Sequence, residues 1–320
     1  MKGVVLSKVI TSGLLVLLLA CAAQEVQVAA TIAFAEGPTE DAAGNLFFTD
    51  QANNRIMRLG TDGTLSTFRQ PGNYANGLVF DTQWRLLACE GGDAAAGTPP
   101  RVTRTDLKTG RVEVLADGYE GKRFRSPNDI TFDGRGRVYF TDKPAPGRAA
   151  KAGEVDAGGV YRIDPDGRLA RILGGAETEA PNGLVISPDD RVFYLVEANP
   201  AQGGARMIRA YDLRPDGTLE RGRVFHDFYP GRSGDGMAVD VKGNLYVAAG
   251  LHRRRGTSET LDTKPGVHVF SPAGALLRYI HVPEDTVTNC AFGGADLRTL
   301  YVTAGKTVFK LRTEVEGTRR

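Results

Sequence analysis

The amino-acid sequence predicts an all-β fold, a six-bladed β-propeller with four-stranded blades. Six short motifs each open an apolar segment, and their first residues are separated by 40, 52, 54, 53 and 54 residues. A period near 50 residues is typical of propellers, with one blade per repeat. The 40 glycines and 16 prolines indicate the many turns that such a fold requires. The six motifs are Glu36-Gly37-Pro38, Asn76-Gly77-Leu78, Asn128-Asp129-Ile130, Asn182-Gly183-Leu184, Asp235-Gly236-Met237 and Asn289-Cys290-Ala291.

Each repeat reads as four short strands broken by turns. In the third repeat, 130–132 leads to 137–141, and 159–163 and 169–173 follow. Asp-Gly pairs recur between the third and fourth strands, as at Asp166-Gly167. The first repeat is shorter than the others because its loops are short.

The sixth repeat is incomplete, and this predicts how the ring closes. It has sequence for three strands and then runs into a charged tail, 313–320. A strand-like stretch, 26–33, precedes the first motif and has no place in the first blade. We expect it to supply the missing outer strand of the sixth blade, because closure removes exposed sheet edges. The sequence thus predicts one propeller domain over 30–312.

The bulk composition is that of an ordinary soluble domain. Hydrophobic residues make up 41% and charged residues 24% of the 320-residue chain. The 40 basic and 38 acidic residues leave a net charge of +2, which gives no reason to expect a nucleic-acid partner.

The first twenty residues are predicted to be an export signal outside the fold. Lys2 and Lys8 precede an apolar stretch, 9–20, that is too short to span a bilayer. It ends in Leu18-Leu19-Ala20-Cys21, which resembles a bacterial lipobox. The sequence therefore predicts a lipidated Cys21 as the mature N-terminus, with 21–29 as a linker, and a periplasmic or cell-surface location. The alternative is an ordinary cleaved signal.

The first residues of the six motifs are expected to converge at the central channel, because the first strand of each propeller blade lines it. The set contains two carboxylates and four amides, at Glu36, Asn76, Asn128, Asn182, Asp235 and Asn289. Such an oxygen set suits a hard cation, calcium first and magnesium or manganese next, whereas zinc normally prefers nitrogen or sulfur. Glu36 is the sharpest signal, since Glu is a poor turn residue. Taken singly, each Asn or Asp could instead serve turn chemistry.

These motifs together resemble the family of senescence marker protein, gluconolactonase and luciferin-regenerating enzyme, over roughly residues 30 to 312. The specific pieces are Glu36-Gly37-Pro38, Ser126-Pro127-Asn128-Asp129 with Tyr139-Phe140-Thr141-Asp142, Pro181-Asn182-Gly183-Leu184, Asp235-Gly236-Met237 and Thr288-Asn289-Cys290-Ala291-Phe292-Gly293-Gly294. The resemblance implies a six-bladed propeller that holds one divalent metal ion.

The resemblance also implies roles for individual residues. The metal ligands would be Glu36, Asn182 and Asp235, and Asn128 would contact substrate or water near the metal. A bound cation would polarise a lactone carbonyl and activate water, with Asp235 as candidate general base. Asp235 and Asn128 are therefore the predicted catalytic residues. Further candidates for contacting substrate are Glu90, Arg125, Asp142, Lys143 and Asn289, and for the charged ones a surface charge is the alternative.

The chain departs from the bacterial gluconolactonase pattern in two loops expected near the channel mouth. Lys143-Pro144-Ala145-Pro146 stands where many members carry Pro and a Tyr-Gly pair, and Gly91-Gly92 follows Glu90 where many carry His. Both departures bear on the substrate.

Three functional hypotheses remain open at this stage. The first is an exported, metal-dependent lactonase that acts on a sugar lactone or similar cyclic ester. The second keeps the metal and fold but hydrolyses another ester or a phosphotriester. The third is a non-catalytic propeller that binds a sugar or a protein and contains a structural calcium. The oligomeric state is not predicted.

Overall fold

The computed structural model describes residues 25–145 and 147–319, which form six four-stranded antiparallel sheets and one small hairpin. The predicted signal, Cys21 included, lies outside the described residues. Within these ranges no helix has the length and apolarity needed to span a bilayer. The prediction of a six-bladed, all-β propeller is confirmed.

The strands follow one another blade by blade. The first strand is β1 (Gln27–Thr31). Blade one has β2 (Ala35–Glu40), β3 (Leu46–Asp50), β4 (Arg55–Leu59) and β5 (Leu65–Arg69), with a 3-10 turn at Gln51–Asn53. Blade two has β6 (Ala75–Phe80), β7 (Leu86–Glu90), β8 (Arg101–Thr105) and β9 (Val112–Ala116), followed by the hairpin β10 (Gly118–Tyr119) and β11 (Lys122–Arg123). Blade three has β12 (Pro127–Phe132), β13 (Val138–Asp142), β14 (Gly159–Ile163) and β15 (Leu169–Leu173).

The last three blades repeat the pattern. Blade four has β16 (Pro181–Ile186), β17 (Val192–Ala198), β18 (Arg206–Leu213) and β19 (Leu219–Asp227). Blade five has β20 (Gly234–Val239), β21 (Leu245–Ala249), β22 (Gly266–Phe270) and β23 (Leu276–His281). Blade six has β24 (Val287–Gly293), β25 (Thr299–Ala304) and β26 (Thr307–Arg312), with β1 as its fourth strand.

The hydrophobic core lies between blades as well as within them. One buried cluster joins Val79 and Leu87 of blade two to Phe140 and Tyr161 of blade three. Phe140 and Tyr161 stack with ring centroids 5.3 Å apart. A blade alone would leave such faces exposed to water, so each blade depends on its neighbours for burial.

The ring closes as the sequence predicts. Strand β1 pairs antiparallel with β26, so that Val28 lies opposite Phe309. The order of strands in blade six is β1, β26, β25, β24, with β1 outermost. Thr288 of β24 donates a hydrogen bond from its hydroxyl to the backbone oxygen of Ala35 in blade one, at 2.9 Å. The N-terminal strand therefore completes the last blade.

The six motifs lie on the innermost strands and not in turns ahead of them, which differs from the expected position. Glu36 is the second residue of β2, and Asn182 is the second residue of β16. In all six blades the pairing between the first and second strand shifts register at the motif. A bulge at the same position in each blade turns the motif side chains away from the regular ladder.

Two motif glycines are explained by the close approach of neighbouring inner strands. Gly37 has φ of +45°, and a Cβ built there would lie 2.1 Å from the backbone oxygen of Asn76. At Gly183 a Cβ would lie 2.0 Å from the backbone oxygen of Asp235. Any larger residue would push the adjacent blade outward, so glycine keeps the inner strands close to the axis.

The predicted charged tail packs against the propeller as far as it is described, over 313–319. The backbone N–H of Thr318 donates to the backbone oxygen of Val239 in blade five, at 3.0 Å. Arg319 lies 3.8 Å from the carboxylate of Glu40 in blade one and stacks over the ring of Trp84 in blade two. The tail thus links blades on both sides of the closing blade.

Deletion of residues 313–320 should therefore destabilise the fold. We expect the free energy of unfolding to fall by about 2 kcal/mol, because several tail hydrogen bonds and the Trp84 contact are lost together. Urea unfolding followed by tryptophan fluorescence measures this, with Glu314→Ala as the control for an exposed tail charge. An unchanged unfolding midpoint would show that the tail contacts contribute nothing.

Candidate metal and substrate site

Threonines of second strands hold the backbone of the motif residues around the axis. Thr49 of β3 donates from its hydroxyl to the backbone oxygen of Asn76, at 3.1 Å, and Thr141 of β13 does the same to Asn182, at 2.9 Å. Each bond runs from one blade to the motif of the next. The fold therefore fixes the motif positions relative to one another, as a preorganised site requires.

Asn182 and Asp235, two of the three predicted metal ligands, are in direct contact. Asn182 donates from Nδ2 to Oδ1 of Asp235 at 2.6 Å, and both residues are buried. The other carboxylate oxygen of Asp235 pairs with the guanidinium of Arg232. Asp235 is thereby held in one orientation by an amide on one side and a cation on the other.

Glu36, the third predicted ligand, is buried close to Asp235. Burial raises the pKa of the Glu36 carboxyl well above its ordinary value, and the negative charges of Asp235 and Asp129 raise it further. One oxygen of Glu36 accepts a hydrogen bond from the backbone N–H of Gly37 at 3.1 Å. Glu36, Asp129 and Asp235 thus form a buried site in which negative charges lie close together.

These three side chains fit a hard divalent cation. Carboxylate and amide oxygens are its preferred ligands, and a cation would relieve the repulsion that raises the pKa of Glu36. A half turn of the Asn182 amide exchanges its NH₂ for its oxygen on the side of Asp235. Among the residues that the structure describes, no three His, Cys, Asp or Glu side chains form a metal-binding group.

Asp129 is a central carboxylate that the sequence analysis did not select. Burial raises its pKa to about 7, opposed by hydrogen bonds from the backbone N–H groups of Ile130 and Leu184 and from the Asn289 side chain. A Cβ at Gly77 would lie 2.5 Å from one Asp129 oxygen. The sequence signal for Asp129 was therefore the third motif itself, in which Asp129 stands where the second and fourth motifs carry glycine.

Two cations belong to the same site. Arg232, which the sequence analysis also missed, is buried and donates to the backbone oxygen of Val287 at 3.0 Å in addition to its pair with Asp235. Lys143 was predicted to contact substrate, and its ammonium is near enough to Asp235 and Glu36 to interact with both charges. Burial lowers the pKa of Lys143.

The two amides predicted to contact substrate, Asn128 and Asn289, differ in whether their side chains are already hydrogen-bonded within the protein. Asn128 is partly exposed at the channel, and among 25–145 and 147–319 its side chain has no hydrogen-bond partner. Asn289 is buried, and its Oδ1 accepts from the backbone N–H of Cys290 at 2.8 Å, while its side chain also bonds to Asp129. Asn128 is available to substrate, whereas Asn289 serves to hold Asp129.

Glu90 does not face the channel mouth, in contrast to its predicted contact with substrate. Its carboxylate is fully buried at the end of β7 and accepts hydrogen bonds from Arg69, Arg101, Asn73 and Thr103, at 2.5 to 3.0 Å. All of its acceptor positions are used by the protein. The geometry makes Glu90 the centre of a structural network in blade two.

The network predicts a stability effect at Glu90. Glu90→Gln should lower the free energy of unfolding by about 3 kcal/mol, because two arginines would lose the carboxylate that compensates their burial. Chemical denaturation measures this, with Glu113→Gln, at an exposed ion pair with Arg104, as control. A loss of lactone affinity with unchanged stability would instead support substrate contact.

Asp142 is likewise a structural group. It is fully buried, and its carboxylate accepts from the backbone N–H groups of Arg125 and Ser126. Burial nevertheless raises its pKa to about 6. Asp142 shapes the segment that leads to Asn128, and it does not offer a free oxygen to substrate. Arg125 points into a separate pocket beside the mouth.

Comparison with known proteins agrees with this architecture. Residues 34–306 match the family model described as SMP-30/Gluconolactonase/LRE-like region. The chain is 31% identical over 315 residues to the gluconolactonase of Zymomonas mobilis, covering 91% of this chain and 81% of that protein. A solved gluconolactonase from Xanthomonas campestris superposes with a TM-score of 0.75 at 30% identity, covering 92% of both chains.

A more distant structure shows the same fold. The calcium-binding protein regucalcin from Agrobacterium tumefaciens superposes with a TM-score of 0.70 at 19% identity, over 92% of this chain and 96% of that one. The family model spans most of the propeller, from the first inner strand into the last blade. The chain therefore belongs to the SMP-30/gluconolactonase/LRE-like family.

Proposed function

We propose that this protein is an exported, metal-dependent hydrolase that opens the ring of a sugar lactone or similar cyclic ester at the channel mouth. The observation that carries the proposal is the buried set of Glu36, Asn182 and Asp235, in which negative charges lie close together. In the neighbouring motif, the side chain of Asn128 has no hydrogen-bond partner among the described residues. The gluconolactonase of Zymomonas mobilis supports the reaction class. The calcium-binding regucalcin supports calcium as the metal.

The metal would be held by Glu36, Asn182 and Asp235. When bound there, a divalent cation supplies Lewis acidity, which polarises a carbonyl oxygen and lowers the pKa of water. Three protein ligands leave room for water and substrate, since Ca²⁺ takes six to eight oxygens.

The chain's own residues supply orientation and proton transfer. Asp235 pairs with Arg232 and can accept the proton of the attacking water through Oδ1, once the Asn182 amide has turned. Asn128 offers its amide to the lactone carbonyl or ring hydroxyls. Attack on the carbonyl carbon breaks its bond to the ring oxygen, which takes up the proton. The product is an open hydroxy acid.

The experiment is lactone hydrolysis followed by pH-stat, with the spontaneous rate subtracted. Full-length protein would be stripped of metal and then supplied with calcium, manganese, magnesium or zinc, using glucono-δ-lactone and a small lactone panel. We expect turnover that returns with calcium and is lost in Glu36→Ala. Tight metal binding with no turnover on any lactone would refute the lactonase proposal and favour another ester or a binding role.

We further propose that the protein acts outside the cytoplasm, anchored through lipidated Cys21. This proposal rests on the apolar stretch and the lipobox-like sequence before Cys21. Cys21→Ser should move the protein from the membrane fraction to the soluble exported fraction in cells. Unchanged membrane association would refute the anchor, and retention of both forms in the cytoplasm would refute export.

A further inference from the structure

A pocket between blades two and three has a strongly cationic lining. The pocket, of about 340 Å³, lies between the loop 91–100 of blade two and residues 123–125 and 148–154 of blade three. Its charged lining comprises four cations and one carboxylate: Arg123, Arg125, Arg148, Lys151 and Glu154. Even with Glu154 ionised, the pocket retains a large excess of positive charge.

The deepest of these cations is incompletely paired. Arg125 is 9% exposed as a residue, and its guanidinium donates to the backbone oxygen of Arg148. In the described part of the chain its Nε–H is buried without a hydrogen-bond acceptor, and the nearest carboxylate oxygen, of Glu154, lies 4.0 Å away. A buried guanidinium N–H without an acceptor is costly, and an anionic oxygen in the pocket would satisfy it.

The single carboxylate, that of Glu154, does not neutralise the positive charge of the pocket lining. Glu154 is committed to Arg148, with 2.6 Å between Oε1 and Nη2, and it also accepts from the backbone N–H of Lys151 at 3.0 Å. The hydrogen bond from Arg148 lowers the pKa of Glu154, so it is ionised. The side chains of Arg123 and Lys151 are exposed and form no ion pair within the described ranges. Glu154 thus positions Arg148 while the other cations stay available.

The pocket lining and the third motif are close together along the chain. Arg125 lines the pocket, and Asn128, three residues later, lies at the axis, so the two Cα atoms are at most about 10 Å apart. Gly91 lines the pocket wall, and a Cβ there would lie 3.8 Å from the Ser126 hydroxyl. This Cα separation is within the span of a sugar derivative whose ring lies near Asn128 and whose substituent lies near Arg125.

We propose that this pocket recognises an oxyanion carried by the substrate, so that the preferred lactone is an acidic one, with a carboxylate or a phosphate remote from the lactone carbonyl. The proposal rests on the proposed lactonase function and names its substrate class. Guanidinium groups suit this role because they donate paired hydrogen bonds to carboxylate or phosphate. Neutral sugar lactones would leave the Arg125 N–H unpaired.

The test compares three lactones with the calcium-loaded full-length protein: glucono-δ-lactone, its 6-phosphate and glucarolactone. We expect kcat/KM for at least one acidic lactone to exceed that for glucono-δ-lactone by about tenfold or more, the effect of one charge-assisted contact. The phosphate and carboxylate arms identify the anion. In Lys151→Gln and Arg148→Gln the advantage should shrink while kcat/KM for glucono-δ-lactone changes little. Lys108→Gln, at an exposed turn of blade two, is the matched control.

Direct binding separates this inference from the proposed reaction. Inorganic phosphate titrated into metal-stripped protein should give a calorimetric signal that Lys151→Gln weakens and Lys108→Gln does not. Glucono-δ-lactone turnover with no preference for acidic lactones and no phosphate binding would overturn the anion pocket and leave the lactonase proposal intact. Phosphate binding sensitive to Lys151→Gln, without turnover of any lactone, would support the pocket and overturn the lactonase proposal.

Discussion

Asp235→Ala is expected to lower kcat/KM for lactone hydrolysis by about 10³-fold or more. The substitution removes one of only two carboxylates in the proposed metal set and the proposed proton acceptor at once. Loss of about 4 kcal/mol of transition-state stabilisation corresponds to a thousandfold change in rate. The measurement is steady-state hydrolysis together with calcium titration by calorimetry.

The contacts of Asp235 also predict how Asp235→Ala changes calcium affinity. Arg232 would lose its carboxylate partner and Asn182 its acceptor, so calcium affinity should fall along with the rate. Asp235→Asn retains the shape of the side chain and separates charge from packing. Asp166→Ala, in an exposed turn of blade three, should behave as wild type. Full activity with unchanged calcium affinity in Asp235→Ala would exclude Asp235 from both proposed roles.

Asp129→Asn is expected to stabilise the metal-free protein by up to about 4 kcal/mol at pH 8, and by less than about 1 kcal/mol at pH 4.5. Burial raises the pKa of Asp129 from 3.8 to about 7. Between these values the folded state holds a proton that the unfolded state has released, so stability falls as pH rises through this window. The loss is complete above pH 7, and an asparagine avoids it.

Calcium should reduce this gain, because a bound cation favours the ionised carboxylate of Asp129. The measurement is the free energy of unfolding in urea at both pH values, with and without calcium, and with Asp166→Asn as an exposed control. Equal stability of Asp129→Asn and wild type at both pH values would show that Asp129 has an ordinary pKa. The buried carboxylate would then be paired more strongly than the contacts described above indicate.

Much of the fold could be predicted because a propeller repeats a similar sequence pattern in each blade. The period of the six motifs fixed the number of blades, and the surplus strand before Glu36 fixed the mode of closure, as the pairing of Val28 with Phe309 confirms. The bulges were missed because an Asn-Gly pair is compatible with a turn and with a bulged strand, so the pair alone does not distinguish the two. The docking of the tail was missed because Arg319 finds Glu40 and Trp84 only after the ring has closed.

The candidate site could be predicted for those residues that occupy equivalent positions in successive repeats. Asn182 and Asp235 meet because they occupy the same place in neighbouring blades. Glu90 could not be assigned in this way, since its role depends on partners from separate strands. The arginines that bind Glu90 lie 21 and 11 residues away in sequence, and no local pattern marks such pairs.

The pairing of β1 with β26 has a consequence for how the chain must mature. The first described strand to leave the ribosome pairs with a strand that is synthesised only after the first five blades. Until residues 307–312 appear, blade six has no third strand on which β1 can add. Contacts of such long sequence separation form slowly, and open sheet edges invite misassembly. The nascent protein is therefore most vulnerable before residues 307–312 have been synthesised.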